Sequence, residues 1–369
     1  MGRTPIALLG FVRDPGSGKP DRSVCGLVWS AWPLSPDDAT RTVAFTGASE
    51  FHSVTIGSDG TLYSSSPTTA LFAFYPDGRE KWRFPLREGR PAAIGRDAIY
   101  ISDARYQYAL DSDDGQEIRP KVDFGALAMG RPTIGGDGTI YVPSHDGRLH
   151  ALDPSTEPMT VKWLARTGTS AAYTSVVISP DRPIYTCDVQ AAPPFGIQAL
   201  DPVDGTRIGY HTLPENCYSP SIAVDGTIYV GAGKTLFAFD PLLVRERWHK
   251  SYDTNVRAFD GVPAIGPEGT IYIGVQNHGV AAIDASSGEE TGLFPLGNGI
   301  PGIAVGGDGT IYFGTWAGAS VIYALTPQMK QLWKLPIALD AGCFSSPAIG
   351  ADGTVYVGCA DGMIHGIQP

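Results

Sequence analysis

A short apolar stretch, a tight turn, an apolar pair ending in tyrosine and an alternating segment closing on Asp-Pro or a similar pair succeed one another eight times along the chain. The tyrosines of the pair are Tyr63, Tyr100, Tyr141, Tyr185, Tyr229, Tyr272, Tyr312 and Tyr356, spaced 37 to 44 residues apart. A fixed period of that length marks a repeat architecture. Six of the eight turns read Asp-Gly or Glu-Gly, at 59–60, 137–138, 225–226, 268–269, 308–309 and 352–353, and glycine supplies the positive φ that a tight hairpin needs. The second and fourth copies depart, with Arg96-Asp97-Ala98 and Asp181-Arg182-Pro183. The apolar stretch ahead of the turn (PAAIG from Pro91, PSIAV from Pro220) is predicted to be strand A. The tyrosine segment is strand B and the alternating segment (HALDP, LFAFDP) is strand C. Four copies add a polar segment around Trp82, Trp163, Trp248 and Trp333, which marks strand D.

Four antiparallel strands in about 40 residues make one twisted blade, whose apolar faces are buried only when neighbours stack on them. The expected fold is all-β, an eight-bladed propeller of four-stranded antiparallel blades. The last copy stops after strand C at Ile367, so residues 42–46 (TVAFT) are expected to complete the last blade and close the ring. On this reading 42–369 is one propeller domain and 1–41 is an N-terminal extension packed on or near it.

The pattern D-G-T-[IV]-Y-V-G, then L-x-A-[LF]-D-P, then W, resembles the repeat of quinoprotein-type, PQQ-like eight-bladed propellers over residues 42–369. The resemblance implies the fold. Propellers with this repeat include quinone-dependent dehydrogenases and outer-membrane assembly scaffolds of the BamB type, which this chain resembles in size. The resemblance also implies what such a dehydrogenase needs: an adjacent cysteine pair, a tryptophan beneath the cofactor, and calcium held by acidic and amide side chains. The five cysteines stand at 25, 187, 217, 343 and 359, no two adjacent. PQQ is therefore not expected, nor is another cofactor.

Composition narrows the classes further. With 46 glycines and 30 prolines the chain suits short strands and tight turns rather than long helices. A net charge of −11 disfavours a broad grip on nucleic acid or an anionic membrane. No stretch is long enough to span a bilayer. The opening MGRTPIALLGFVRDPG has too brief an apolar core for a signal peptide, so the chain reads as soluble and cytoplasmic as it stands, or secreted or periplasmic if a leader was removed. Cys343 precedes the last strand A and Cys359 follows the last strand B, ends that a hairpin brings together, so a disulfide is feasible there. In a cytoplasm both would be free thiols.

The repeat consumes eight of the 16 tyrosines and four of the seven tryptophans, and its strand-C positions take up His150 and His365. Candidate functional residues are those the repeat does not explain, on the D–A and B–C loops that ring the channel mouth. The position before the Pro or Ser opening strand A gives His52, Arg90, Arg131, Thr174, Ser219, Val262, Ile300 and Ser346. Arg87, Arg105 and His145 add to a positive sector there, suited to an anionic ligand because a guanidinium grips carboxylate or phosphate with two hydrogen bonds. Longer loops supply Tyr218, His249, Tyr252, Asp253, Arg257, Asp260 and Phe344, and B–C loops supply His278 and Trp316, the latter a candidate stacking platform. Titratable candidates for acid–base work are His52, His145, His278, Asp253 and Asp260. No motif with metal-ligand spacing appears. The sequence thus leads to a binding propeller for an anionic small molecule or a protein partner. The alternative is a pocket enzyme of lyase, hydrolase or cyclase type built from the same funnel, and a quinone-dependent dehydrogenase ranks last.

Overall fold

Each recurring tyrosine is held between two neighbours, one from strand A and a small residue from strand C. Tyr63 pairs with Thr55 on one side and Ala73 on the other, and Tyr141 with Thr133 and Ala151. The opposing residue is alanine in seven copies and Gly366 in the eighth. A small partner leaves room for the ring to lie toward the next blade. The computed structural model describes residues 53–368, apart from 67–68, 87–88, 97, 126–129, 169–174, 179–182, 190–191, 218, 254–260, 317–319, 338–341, 344 and 361.

Within those residues the chain forms eight antiparallel sheets, at 55–85, 93–123, 133–166, 177–213, 221–251, 264–295, 303–336 and 348–367. Seven have four strands in sequence order and the last has three. The protein is an all-β, eight-bladed propeller. No helix among the described residues is long and apolar enough to cross a membrane. The expected closing strand at 42–46 and the extension 1–41 lie outside the described residues. The ring is nonetheless closed by packing: Leu62, Phe72 and Phe74 of the first blade share one buried cluster with Tyr356 and Ile364 of the last.

Five A–B turns are fastened in one way. Asp59, Asp137, Asp225, Asp308 and Asp352 each accept the backbone N–H of the threonine two residues on, at 2.8–3.0 Å, and its hydroxyl, at 2.6–2.8 Å. An aspartate that satisfies its own turn is a structural residue, which removes these carboxylates from functional consideration.

The blades interlock by two alternating devices. At the first three odd-to-even junctions a strand-D tryptophan leans on the following blade, donating its indole N–H to a carbonyl in that blade's C–D turn: Trp82 to Ser112 at 3.0 Å, Trp163 to Pro202 at 3.1 Å, Trp248 to Ala285 at 2.8 Å. Beneath each ring sits a glycine, Gly115, Gly205 or Gly288, with φ between 73° and 75° and no space for a Cβ. At even-to-odd junctions a buried side chain of the following turn fills the interface instead. Met159, Leu243 and Met329 serve the third, fifth and seventh blades, and Gly292 yields the room that Met329 occupies. The repeat is thus single in backbone and double in packing.

Candidate functional site

The tyrosine ladders give a register for the channel mouth that the Pro and Ser positions alone do not. Counting two residues ahead of each tyrosine-paired residue, the equivalent positions are Ser53, Pro91, Arg131, Ser175, Ser219, Val262, Gly302 and Ser346. The sequence-derived ring therefore mixed registers: Arg90 sits one step and Ile300 two steps ahead of the true position, while Arg131, Ser219, Val262 and Ser346 occupy it. Arg131 is the one charged residue among the eight equivalents, and four are serines. His52 and Thr174 lie outside the described residues.

Arg90 and Arg131 nevertheless act on one another electrostatically. The connector before each inner strand is tied to the end of its own strand B, Arg90 N–H to Ser102 O at 3.1 Å and Gly130 N–H to Pro143 O at 2.6 Å. Neighbouring inner strands are laced by threonine hydroxyls, Thr55 to Ala92 O at 3.0 Å and Thr133 to Val176 O at 3.3 Å. Arg131 is exposed to solvent by accessible area. Yet desolvation by the surrounding protein, then the like charge of Arg90, hold its guanidinium below the usual arginine range. The side chain is thus reached by water while the protein around it disfavours its charge. Among the described residues Arg90 is the one charged group found to act on Arg131.

His145, half-buried in the third blade's B–C turn, joins this sector. Desolvation, then Arg90, lower its pKa below the usual histidine value, so its ring is neutral at pH 7. Its neighbours on the turn are committed elsewhere: Asp146 accepts from the Arg148 N–H at 3.0 Å and binds His150 Nε2 at 3.0 Å. His150 is itself buried, 4.5 Å from the Phe124 ring, which fits the packed role read for it in sequence.

The remaining candidates separate. Arg105 forms a two-pronged pair with Asp123 at 2.8 and 2.6 Å, on exposed surface. Trp316 is half-buried, its indole laid over Gly299, where a Cβ would overlap it, and its backbone N–H donates to Gly299 O at 3.2 Å. One face of that ring is therefore taken by the neighbouring connector. His249 pairs with Glu246 at 2.6 Å, and Asp253 is exposed. Arg87, Tyr218, Arg257, Asp260 and Phe344 lie outside the described residues.

A second polar group was visible in sequence only in part. Glu290 accepts the Tyr252 hydroxyl at 3.1 Å and binds His278 Nε2 at 3.2 Å, with the Tyr252 and His278 rings 5.3 Å apart. Burial, then Glu290, push the Tyr252 hydroxyl well above the ordinary tyrosine range. Glu290, at the start of a regular strand D, gave no irregular signal in sequence. Elsewhere an open cleft of about 490 Å³ lies between the third and fourth blades, lined by Arg166, Asp188, Gln198 and Arg207 among others; none of the candidate residues lines it.

Two disulfides are present. Cys343–Cys359 joins the pair for which the sequence made a disulfide feasible, with Cα atoms 4.0 Å apart. Cys187–Cys217, Cα atoms 5.6 Å apart, was not foreseen. It links the end of strand B in the fourth blade to the connector entering the fifth. These are the same two kinds of position, taken from successive blades.

Comparison with known proteins places the chain. A family model for the outer membrane protein assembly factor BamB matches residues 58–241 and 108–327. No curated protein matches in sequence. Among solved structures, the computationally designed Ika8 protein superposes with TM-score 0.74 at 10% identity, over 89% of this chain and all of that one. Quinohemoprotein alcohol dehydrogenase ADHIIG from Pseudomonas putida HK5 gives 0.68 at 13% identity, over 89% of this chain and 73% of the enzyme. BamB from Moraxella catarrhalis gives 0.63 at 16%, over 84% and 91%. At such identities the likeness is one of fold.

Proposed function

This chain belongs to the family of the outer membrane protein assembly factor BamB, and from that premise we propose that it is a binding propeller whose channel mouth holds an anionic group. The observation that carries the reading is Arg131, the one charged residue among the eight equivalent mouth positions, whose guanidinium is disfavoured by desolvation and by the like charge of Arg90. The like charge of Arg90 disfavours the Arg131 guanidinium, and an anion bound beside Arg131 would offset that. Guanidinium forks suit carboxylate and sulfate- or phosphate-like oxyanions. The anionic group belongs either to a small molecule or to a side chain of a protein partner, the latter in keeping with a family named for assembly.

A ligand that binds only the folded state stabilises it by RT ln(1 + [L]/Kd). Sulfate is therefore expected to raise the unfolding temperature of the wild-type protein along a saturating curve at constant ionic strength, measured by calorimetry. A rise that is linear in sulfate, or none at all, would speak against a specific site.

A second reading, a pocket enzyme, rests on one observation. Glu290 holds both Tyr252 and His278, an arrangement that fixes an imidazole for proton transfer.

A further inference from the structure

We propose that the cleft between the third and fourth blades is a second binding site, separate from the channel mouth, and that it takes an acidic sugar of one or two rings. The cleft exists because this junction is filled differently from its three equivalents. Four residues after the strand-D tryptophan stand Leu86, Tyr252 and Ile337 at the other odd-to-even junctions, all buried, and Thr167 here. Two residues after the tryptophan the first junction has Phe84 and the fourth Leu335, whereas this one has Ala165. The strand-C residue one before the tyrosine-paired position is Gln198, where the first junction has Tyr108.

Phe84, Leu86 and Tyr108 pack in one buried cluster. Their small and polar counterparts leave about 490 Å³ open between strand D of the third blade and strands C and D of the fourth, a volume suited to a small ligand. Thr186, the strand partner of Gln198, and Thr167 are fully buried, and their hydroxyls make no hydrogen bond among the described residues. Apolar packing alone gives no reason for three polar side chains at one blade junction.

The chemistry of the walls defines the ligand. Arg166 and Arg207 bring two guanidiniums to the cleft, both exposed, and neither is in an ion pair among the described residues. Arg207 lies over the Tyr210 ring at 4.8 Å, and Tyr210 lies over Gly196, where a Cβ would come within 2.5 Å of the phenol oxygen. The Arg207 fork therefore rests on a fixed support. Gln198, 1% exposed, is pinned by its side-chain N–H to Arg166 O at 2.8 Å, which leaves its side-chain carbonyl as an acceptor. The Asp188 carboxylate stands at the Gly168 end, where a Cβ on Gly168 would lie 2.7 Å from Oδ1.

Two cations thus face one carboxylate, in a chain whose net charge is −11. A guanidinium fork grips a carboxylate with two hydrogen bonds, while Gln198 and Asp188 accept hydrogen bonds that the ligand must donate. A carboxylate and several hydroxyl donors on one small ring describe a uronate. Leu164, Ala165 and Leu200 add an apolar strip for the C–H face of that ring.

The test is isothermal titration of the full chain with glucuronosyl-glucose, with its neutral counterpart cellobiose and with the acidic peptide Gly-Asp-Gly. The acidic disaccharide should bind at least tenfold more tightly than either of the others. Arg207→Gln should weaken it at least tenfold, Ala165→Phe, which copies the first junction, should block it, and Arg131→Gln at the mouth should leave it unaltered. Arg207 is a surface residue, so its variant decides the matter even where Ala165→Phe does not fold. Cellobiose bound equally well overturns the role of charge, and Gly-Asp-Gly bound equally well overturns the sugar class. Binding indifferent to Arg207→Gln, or lost in Arg131→Gln, overturns the location. No binding of the acidic disaccharide overturns the inference and leaves the reading of the mouth, which is tested with sulfate, untouched.

Discussion

Trp163→Ala is expected to lower the stability of the propeller by about 3–5 kcal/mol, the range for truncating a buried tryptophan. Trp163 is 8% exposed, packs 5.6 Å from the Tyr141 ring, and donates its indole N–H to Pro202 O across the blade boundary at 3.1 Å. Losing it opens a cavity between the third and fourth blades and leaves the Pro202 carbonyl without its donor. Because each blade buries its faces only against neighbours, one weakened interface weakens the closed ring as a whole. Trp163→Phe should recover most of the loss while still lacking the hydrogen bond, worth about 1 kcal/mol. Gly205→Ala should be damaging from the other side, since a Cβ there would lie 2.5 Å from the Trp163 ring at a φ of +75°. Denaturant unfolding followed by tryptophan fluorescence and by far-ultraviolet circular dichroism checks all three. A loss below about 1 kcal/mol for Trp163→Ala would show that the indole is not a principal tie between blades.

Arg131→Gln is expected to move stability and binding in opposite directions. In the empty protein Arg131 is disfavoured by desolvation and by Arg90, so a neutral side chain of similar reach should leave the fold as stable as the wild type or slightly more so. The same change should weaken sulfate binding by at least 30-fold, since removing one partner of an enclosed charge-assisted pair costs about 2–5 kcal/mol. A residue that serves only packing cannot give that pair of results. It is the trade-off found where a site is kept at some expense to the resting structure. Calorimetric unfolding without ligand and titration with sulfate give the two halves. Reduced stability with unaltered binding would place Arg131 among the structural residues.

Much of the fold was legible in sequence because the repeat fixes chemistry to register. Tyr63 and its seven equivalents each need a small residue opposite, and the Asp-Gly turn between strands A and B holds itself together, so both features recur at nearly constant spacing. The second packing device was not legible. Met159, Leu243 and Met329 share a role without one residue type common to all three, and their counterparts lie in the preceding blade. At the mouth, the Pro and Ser landmarks drift by one or two residues against the ladder, so the inferred ring was out of register in part. Arg90 and Arg131 were still found, because they are the two arginines among the eight positions read from the sequence. Their electrostatic coupling could not be read, since it depends on the connectors lying over the ends of strand B. Cys187–Cys217 was hidden for a similar reason: the pairing crosses a blade boundary, and only Cys343 and Cys359 flank a single hairpin.

The mouth as an anion site is tested most directly by locating a bound anion. Crystals of the wild-type protein loaded with selenate, an anomalously scattering analogue of sulfate, should show a strong peak within hydrogen-bonding distance of the Arg90 and Arg131 guanidiniums and beside His145, and Arg131→Gln crystals should lack it. Selenate found only against outer-surface arginines such as Arg105, Arg166 or Arg207, with none at the mouth, would contradict the assignment.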